Sequence, residues 1–220
     1  MYSAKKIVLD FDGTIFRVFT NYDLKKVARK IYGLLSDYQT TFRTDSDAFD
    51  AFGSIMNADL PAAKKRQLLR QVDEWLIEAE MEALDSGILI DGFWEFVEAA
   101  KKKKIDIAIV SNNSAACIKE FLYRSNTEYT IPVLGRIGVH PERMKPDSYM
   151  MEEMSRILKC SNDEIIYVGD NHRDYECALR FRCQFIGMTP TPAKKERLHK
   201  KAPNITTVDD FFELMQMLWG

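Results

Sequence analysis

Little in this chain favours thiol chemistry, a membrane or a polyanionic partner. Its 220 residues include only four cysteines, Cys117, Cys160, Cys177 and Cys183, none in C-x-x-C spacing. The three histidines, His140, His172 and His199, are scattered. Structural zinc needs such ligands in close, repeated spacing, so no zinc site is expected. Free thiols in a reducing cytoplasm are expected instead. No run of about 18 apolar residues occurs, so no helix is expected to span a bilayer. The N-terminal "MYSAKKIVLDFDG" runs straight into a strand and lacks a signal peptide's apolar stretch and cleavage site. Charge selects no partner either. The 31 basic and 33 acidic side chains leave a net charge of −2, which gives no case for nucleic acid or membrane binding. The basic runs "KKKK" at 101–104 and "KKERLHKK" at 194–201 suit a helix end and a solvated face.

What is present is an alternation of apolar strands and amphipathic helices. Residues 6–10 (KIVLD), 105–110 (IDIAIV), 165–168 (IIYV) and 183–187 (CQFIG) read as short buried strands. Residues 131–134 and 204–208 are weaker candidates. Helical stripes follow, such as Phe93, Phe96, Val97 and Ala100, or Met150, Met154, Ile157 and Leu158. This alternation predicts an α/β fold, a doubly wound parallel sheet covered on both faces. One region interrupts it. From about 17 to 88 no strand is evident, and three helical stripes appear: Leu24, Val27, Ile31 and Leu34; Phe49, Phe52 and Met56; then Leu68, Val72, Trp75, Leu76 and Ala79 after Pro61. The predicted organisation is a core of 1–16 plus 88–220 with a helical cap at 17–87.

The first strand ends in "DFDGT", two carboxylates two residues apart. Ligands of parallel α/β sheets bind outside the carboxyl ends of the strands. Side chains two apart on extended backbone point the same way, so Asp10 and Asp12 would repel unless a cation or a proton intervenes. Three further strand ends or loops carry matching chemistry. In "SNNS", Ser111 offers a hydroxyl, and Asn112 and Asn113 offer N–H groups entering a helix, a plausible anion cradle. In "RMKPDSY", Pro146 holds Lys145 extended and can open a helix. In "GDNHRD", Asp170 sits at the strand end and Asp174 one helical turn on. Asp170 with Asp10 could form an oxygen site of the kind Mg²⁺ takes. Taken singly, each cluster is also an ordinary turn, N-cap or surface charge.

Taken together, D-x-D-G-T, Ser, Lys-Pro and G-D-x-x-x-D in this order resemble the haloacid dehalogenase-like (HAD) phosphatases, in the branch with a helical cap after the first motif. The resemblance spans the chain. It implies Asp10 as nucleophile, Asp12 as general acid and base, and Lys145 as the cation that neutralises nucleophile and phosphate. It implies Ser111, with Asn112 and Thr14, as phosphate contacts. It implies Mg²⁺ held by Asp10, Asp170 and the backbone carbonyl of Asp12, with Asp174 in support. The expected activity is a cytoplasmic Mg²⁺-dependent phosphatase acting on a small phosphorylated metabolite through an aspartyl phosphate. Nucleic acid and membrane are not expected partners, and the sequence carries no argument about oligomeric state.

Two rivals remain open at this point: a sugar-phosphate mutase of the same superfamily and a non-catalytic phosphate-binding module. Dehalogenation is disfavoured, because dehalogenases of the superfamily lack the acid found here as Asp12. Three positions depart from the pattern. "IFRVF" follows "DGT" without the acid and serine of phosphoglycolate phosphatases, Asn171 stands where Ser or Thr is frequent, and Arg182 stands where glycine often closes the helix. Arg17, Tyr38, Arg43 and Thr44 are candidate substrate contacts near the hinge or cap loops.

Overall fold

The computed structural model describes residues 6–125 and 130–220. Residues 1–5, part of the segment read for a targeting signal, lie outside the described residues. The chain opens with β1 (Lys6–Leu9), then a two-residue strand β2 (Phe16–Arg17). Three helices follow, α1 (Leu24–Leu35), α2 (Asp50–Asn57) and α3 (Ala62–Ala83). Strand β3 (Ile88–Leu89) returns the chain, and an alternating series continues with α4 (Phe93–Lys102), β4 (Asp106–Val110), α5 (Ala115–Arg124) and β5 (Val133–Leu134). Then come α6 (Tyr149–Leu158), β6 (Ile165–Gly169), α7 (His172–Phe181), β7 (Gln184–Met188), α8 (Pro192–Lys201), β8 (Thr207–Val208) and α9 (Phe211–Trp219).

Six strands form one parallel sheet in the order β5-β4-β1-β6-β7-β8. Alternation within β1 explains its apolar sequence. Ile7 and Leu9 enter a cluster with Phe93, Phe96, Phe121 and Phe211, whereas Val8 enters another with Met150, Met154 and Tyr167. Both faces are thus covered, and no position in Ile7–Leu9 can be polar. Each such side chain contributes about 1.5–3 kcal/mol on full burial. Leu9 is level with Ile109 of β4 and Val168 of β6. β1 ends on that line and β4 and β6 end one residue beyond it, at Val110 and Gly169, which brings Asp10, Ser111 and Asp170 to one edge.

The predicted absence of strand between 17 and 88 needs correction. Phe16–Arg17 pairs antiparallel with Ile88–Leu89, a short ribbon at the point where the chain leaves and re-enters the core. Two residues of strand carry too little alternation to be read from sequence. The three helices between have their own apolar cluster, including Ile31, Phe52, Ile55, Leu69, Val72 and Leu76. Met56, placed on the inward stripe from sequence, is exposed, and Ile55 is buried instead.

Local chemistry fixes the helix ends. Ser114 caps α5 and Asn171 caps α7, where Asp174 closes a reciprocal capping box. Arg182 ends α7 with φ +61°, the left-handed conformation that glycine usually supplies. Pro146 does not open α6, which begins at Tyr149 after Ser148; the Lys145–Pro146 bond is cis.

Candidate active site

Asp10 is buried directly beyond β1. Its Oδ1 accepts from Ser111 Oγ at 2.9 Å and from Lys145 Nζ at 2.6 Å. Lys145 Nζ also reaches Asp174 Oδ1 at 2.6 Å, the Tyr167 hydroxyl at 2.8 Å and the Val110 carbonyl at 3.3 Å. Burial opposes charge on Lys145, but the carboxylates of Asp10 and Asp174 outweigh it and raise its pKa above the usual lysine value. The geometry therefore favours the ammonium form of Lys145. Its loop is held by Asn112, whose Oδ1 accepts from the Lys145 N–H and whose Nδ2 donates to the Lys145 carbonyl, each at 3.0 Å. That clamp, rather than a helix start at Pro146, places the lysine.

Asp174 is fully engaged. Beyond Lys145, Tyr167 donates to its Oδ1 at 2.9 Å, and the N–H groups of Asp170 and Asn171 donate to Oδ2 at 3.2 Å. Asp12 lies across the cleft with Oδ1 accepting from the Val18 N–H at 2.8 Å. Burial, with the charge of Asp170 adding, raises Asp12 to about 7. Burial also raises Asp10 to about 7, against the pull of Lys145 and with Asp174 and Asp170 adding to the rise.

Gly13 explains the glycine in "DFDGT". Its φ is +88°, and a Cβ there would lie 2.2 Å from Asp170 Oδ2. Conformation and space both require glycine. Lys194 of α8 pairs with that same Asp170 carboxylate and reaches the Gly13 carbonyl at 3.5 Å.

Two expected roles change on inspection. Thr14 is fully buried and its hydroxyl turns to Asp10 Oδ2 at 3.4 Å. It braces the carboxylate from beneath and is absent from the cleft wall, because the turn around Gly13 points it inward. Asn113 spends its N–H on Ser111 Oγ at 3.2 Å, so that group is not a free anion donor. Asn112 does line the cleft.

The cleft beside Asp10, about 110 Å³, is walled by Asp10, Asp12, Ser111 and Lys145 from below and by Asp47 and Phe49 from the helical segment. A second hollow of about 420 Å³ adjoins it through Asp12, Asp47, Asn171 and Arg173. Arg173 Nη2 holds Asp50 Oδ1 at 2.9 Å, a bridge between the two parts of the chain. Of the four sequence candidates, Arg17, Tyr38, Arg43 and Thr44, none lines either hollow. Arg43 instead donates to the carbonyls of Thr40 and Phe42. Tyr167, Lys194, Asp47 and Phe49 escaped the sequence reading. Only Tyr167 had a signal, a phenol inside an otherwise apolar strand that must find a partner when buried. A larger hollow of about 430 Å³ lies at the other end of β4, against Ile105, Ile107 and Ile131, and none of Asp10, Asp12, Lys145 or Asp170 lines it.

Asp10, Asp170 and Asp174 each bring a carboxylate oxygen within 4.8 Å of the others. With Asp174 spent on Lys145, Tyr167 and two N–H groups, Asp10 and Asp170 are the available pair. The donors are all hard oxygens, which suits a cation such as Mg²⁺ and excludes a thiophilic metal. No helix among the described residues is long and apolar enough to cross a membrane.

Residues 7–188 match the haloacid dehalogenase-like hydrolase family. No curated protein matches the sequence. Among solved structures, a predicted phosphatase from Clostridium acetobutylicum is similar at 15% identity and TM-score 0.72, with 98% of each chain covered. A predicted phosphoglycolate phosphatase from Haemophilus somnus aligns at 19% identity and TM-score 0.65, covering 99% of each chain. A HAD-superfamily hydrolase from Ehrlichia chaffeensis aligns at 16% identity and TM-score 0.60, covering 99% of this chain and 97% of that one. At these identities the likeness is one of fold.

Proposed function

This chain belongs to the haloacid dehalogenase-like hydrolases, and from that premise we propose that it is a Mg²⁺-dependent phosphatase working through an aspartyl phosphate on Asp10. The supporting observation is the pairing of two acids with unlike surroundings at one strand end. Asp10 is bonded to Lys145 and Ser111. Asp12 instead accepts from the Val18 N–H, and among the described residues no lysine or arginine is hydrogen-bonded to it. One acid suits attack and the other suits proton transfer.

In the first step an Asp10 carboxylate oxygen attacks phosphorus and the bond to the leaving oxygen breaks. Asp12 gives its proton to that oxygen. In the second step water attacks the same phosphorus, Asp12 takes the water proton, and the acyl phosphate bond breaks to free inorganic phosphate and Asp10. Lys145 offsets the repulsion between a carboxylate and a phosphate dianion, and Ser111 orients a phosphoryl oxygen. A divalent cation held by Asp10, Asp170 and the Asp12 carbonyl would add positive charge at the phosphoryl oxygens.

Residues 17–87 are proposed as a cap that closes over a small phosphorylated metabolite in a cytoplasmic setting, with the remainder as the catalytic core. Asp47 and Phe49 are cap side chains that line the cleft beside Asp10. The "IFRVF" after "DGT" argues against carrying phosphoglycolate over from a structural neighbour. Phosphate release from a metabolite panel with Mg²⁺ tests the proposal. Turnover abolished by EDTA and restored by Mg²⁺ is expected. Isomerisation without phosphate release, or full activity in EDTA after dialysis, would overturn it.

A further inference from the structure

Glu80 is fully buried, and no step above uses it. It belongs to the helical segment, on α3, yet its partners belong to the core. Arg136 Nη1 donates to Glu80 Oε1 at 2.5 Å, and both side chains are 0% exposed. Asn113 Nδ2 donates to Oε1 at 3.3 Å, and the Ser114 N–H donates to Oε2 at 3.0 Å. Arg136 also donates to Asp73 Oδ1 at 2.6 Å and to the Asn112 carbonyl at 3.1 Å. Asp73 and Glu80 lie about two turns apart on α3. One guanidinium thus joins two acids of a single helix to the loop that follows β4.

That loop carries Ser111. Asn113, held by Glu80, donates its N–H to Ser111 Oγ at 3.2 Å, and Ser111 Oγ donates to Asp10 Oδ1 at 2.9 Å. Asn112, held by Arg136, clamps both backbone groups of Lys145. Each link is one hydrogen bond, and together they run from α3 to the Asp10 carboxylate. On the other side, the Arg136 guanidinium lies 5.6 Å from the ring of Phe49, a cleft wall, and 5.8 Å from that of Phe52. A buried ion pair adds little net stability over an apolar pair of the same volume. Packing alone therefore does not call for this one.

We propose that Glu80 and Arg136 are positioning residues which fix the 111–114 loop, so that the seating of the helical segment on the core sets the geometry of the phosphate contacts. The inference rests on reading Ser111 and Lys145 as those contacts. It makes α3 a strut of the site when the helical segment is seated on the core.

Hydrogen–deuterium exchange over residues 111–124 tests the coupling without reference to turnover. Three variants separate its causes. Glu80→Gln keeps the shape and removes one charge. Asn113→Ala removes the side-chain amide that donates to Glu80 Oε1 and accepts from Ser111 Oγ, and leaves the ion pair intact. The double variant Glu80→Met with Arg136→Met removes both fully buried charges and should recover the melting temperature that Glu80→Gln loses, because the acid left behind, Asp73, keeps a quarter of its side chain exposed. In all three, the loop amides should exchange faster and inorganic phosphate should bind more weakly. The kcat/KM on p-nitrophenyl phosphate should fall about 10²-fold, the cost of a misplacement near 1 Å. Recovery of both melting temperature and wild-type kcat/KM in the double variant would make the pair purely structural and overturn the proposal. Unchanged loop exchange in Asn113→Ala would overturn it too. A wild-type protein that binds phosphate but releases none, with the exchange effect intact, would sink the phosphatase reading and support the coupling.

Discussion

Lys145 Nζ stands 2.6 Å from Asp174 Oδ1, a carboxylate with no exposed surface on the first turn of α7. The same ammonium stands 2.6 Å from Asp10. One cation therefore neutralises an acid that is anchored in a helix and another that faces the cleft. Removing the Asp174 charge leaves the buried lysine with Asp10 alone and weakens the capping box of α7. We expect Asp174→Asn to cost about 3–5 kcal/mol of stability, as breaking a buried pair does. Tyr167→Phe, which removes one neutral donor from the same carboxylate, should cost about 1 kcal/mol. Urea denaturation of both variants measures the difference, and equal losses would mean that Lys145 does not depend on Asp174.

Asp10 and Asp12 give opposite signals when replaced. Asp10→Asn should form no phosphoenzyme. In Asp12→Asn the first step should partly survive with p-nitrophenyl phosphate, whose leaving group needs little protonation, while hydrolysis of the intermediate slows by about 10²–10⁴-fold. Rapid mixing should show a nitrophenol burst near one equivalent, followed by a slow steady rate. Wild-type steady turnover in Asp12→Asn would make the assignment of roles wrong.

The two raised acids tie stability to pH. Both move from 3.8 to about 7 on folding. Between those values the metal-free folded protein binds more protons than the unfolded chain. Their contribution is complete below about pH 4 and is lost as pH rises through about 7. A divalent cation needs the ionised forms. The rise in melting temperature on adding Mg²⁺ should therefore be larger at about pH 8 than at about pH 5.5. An equal rise at both, by scanning calorimetry, would count against Asp10 as a ligand.

Lys194 shares the Asp170 carboxylate and occupies the space a Cβ of residue 13 would take. A cation already paired with a metal ligand competes with the metal. Lys194→Met should tighten Mg²⁺ or Mn²⁺ binding by about three- to tenfold, the effect of roughly 1 kcal/mol. Titration calorimetry with Mn²⁺ reads this directly, and weaker binding would show that the lysine supports the metal.

Gly13→Ala meets two obstacles, a left-handed φ of +88° and the Asp170 carboxylate 2.2 Å from the new methyl. The backbone term alone is about 1–2 kcal/mol. Stability should fall by at least that much, and metal binding should weaken as Asp170 is displaced. A variant that binds Mn²⁺ like the wild type would show that the turn can open at no cost to the site.

Three of the four motifs were legible because each sits at a boundary where an apolar run stops, and such boundaries are local. "IVLD", "AIVS" and "YVGD" each announce a buried parallel strand followed by a polar residue. The strand order then brings the three ends side by side. Contacts made across the fold were not legible. Glu80 interrupts an apolar stripe, which hints at a buried partner but does not name Arg136, 56 residues away in sequence. Lys194 lies in a run of solvated charges, and nothing in that run distinguishes the one ammonium that turns inward.

The sequence by itself determined the alternation of strand and helix and the edge of the sheet where the acids gather. These follow from burial periodicity, which acts over a few residues. Only the tertiary structure decided which of the polar residues face the cleft. Thr14 turns beneath Asp10, Asn112 is consumed by the Lys145 peptide, and Asp47 and Phe49 come down from a distant helix start. Each of these depends on two segments approaching from far apart in the chain, and a partner's direction exists only once both are packed.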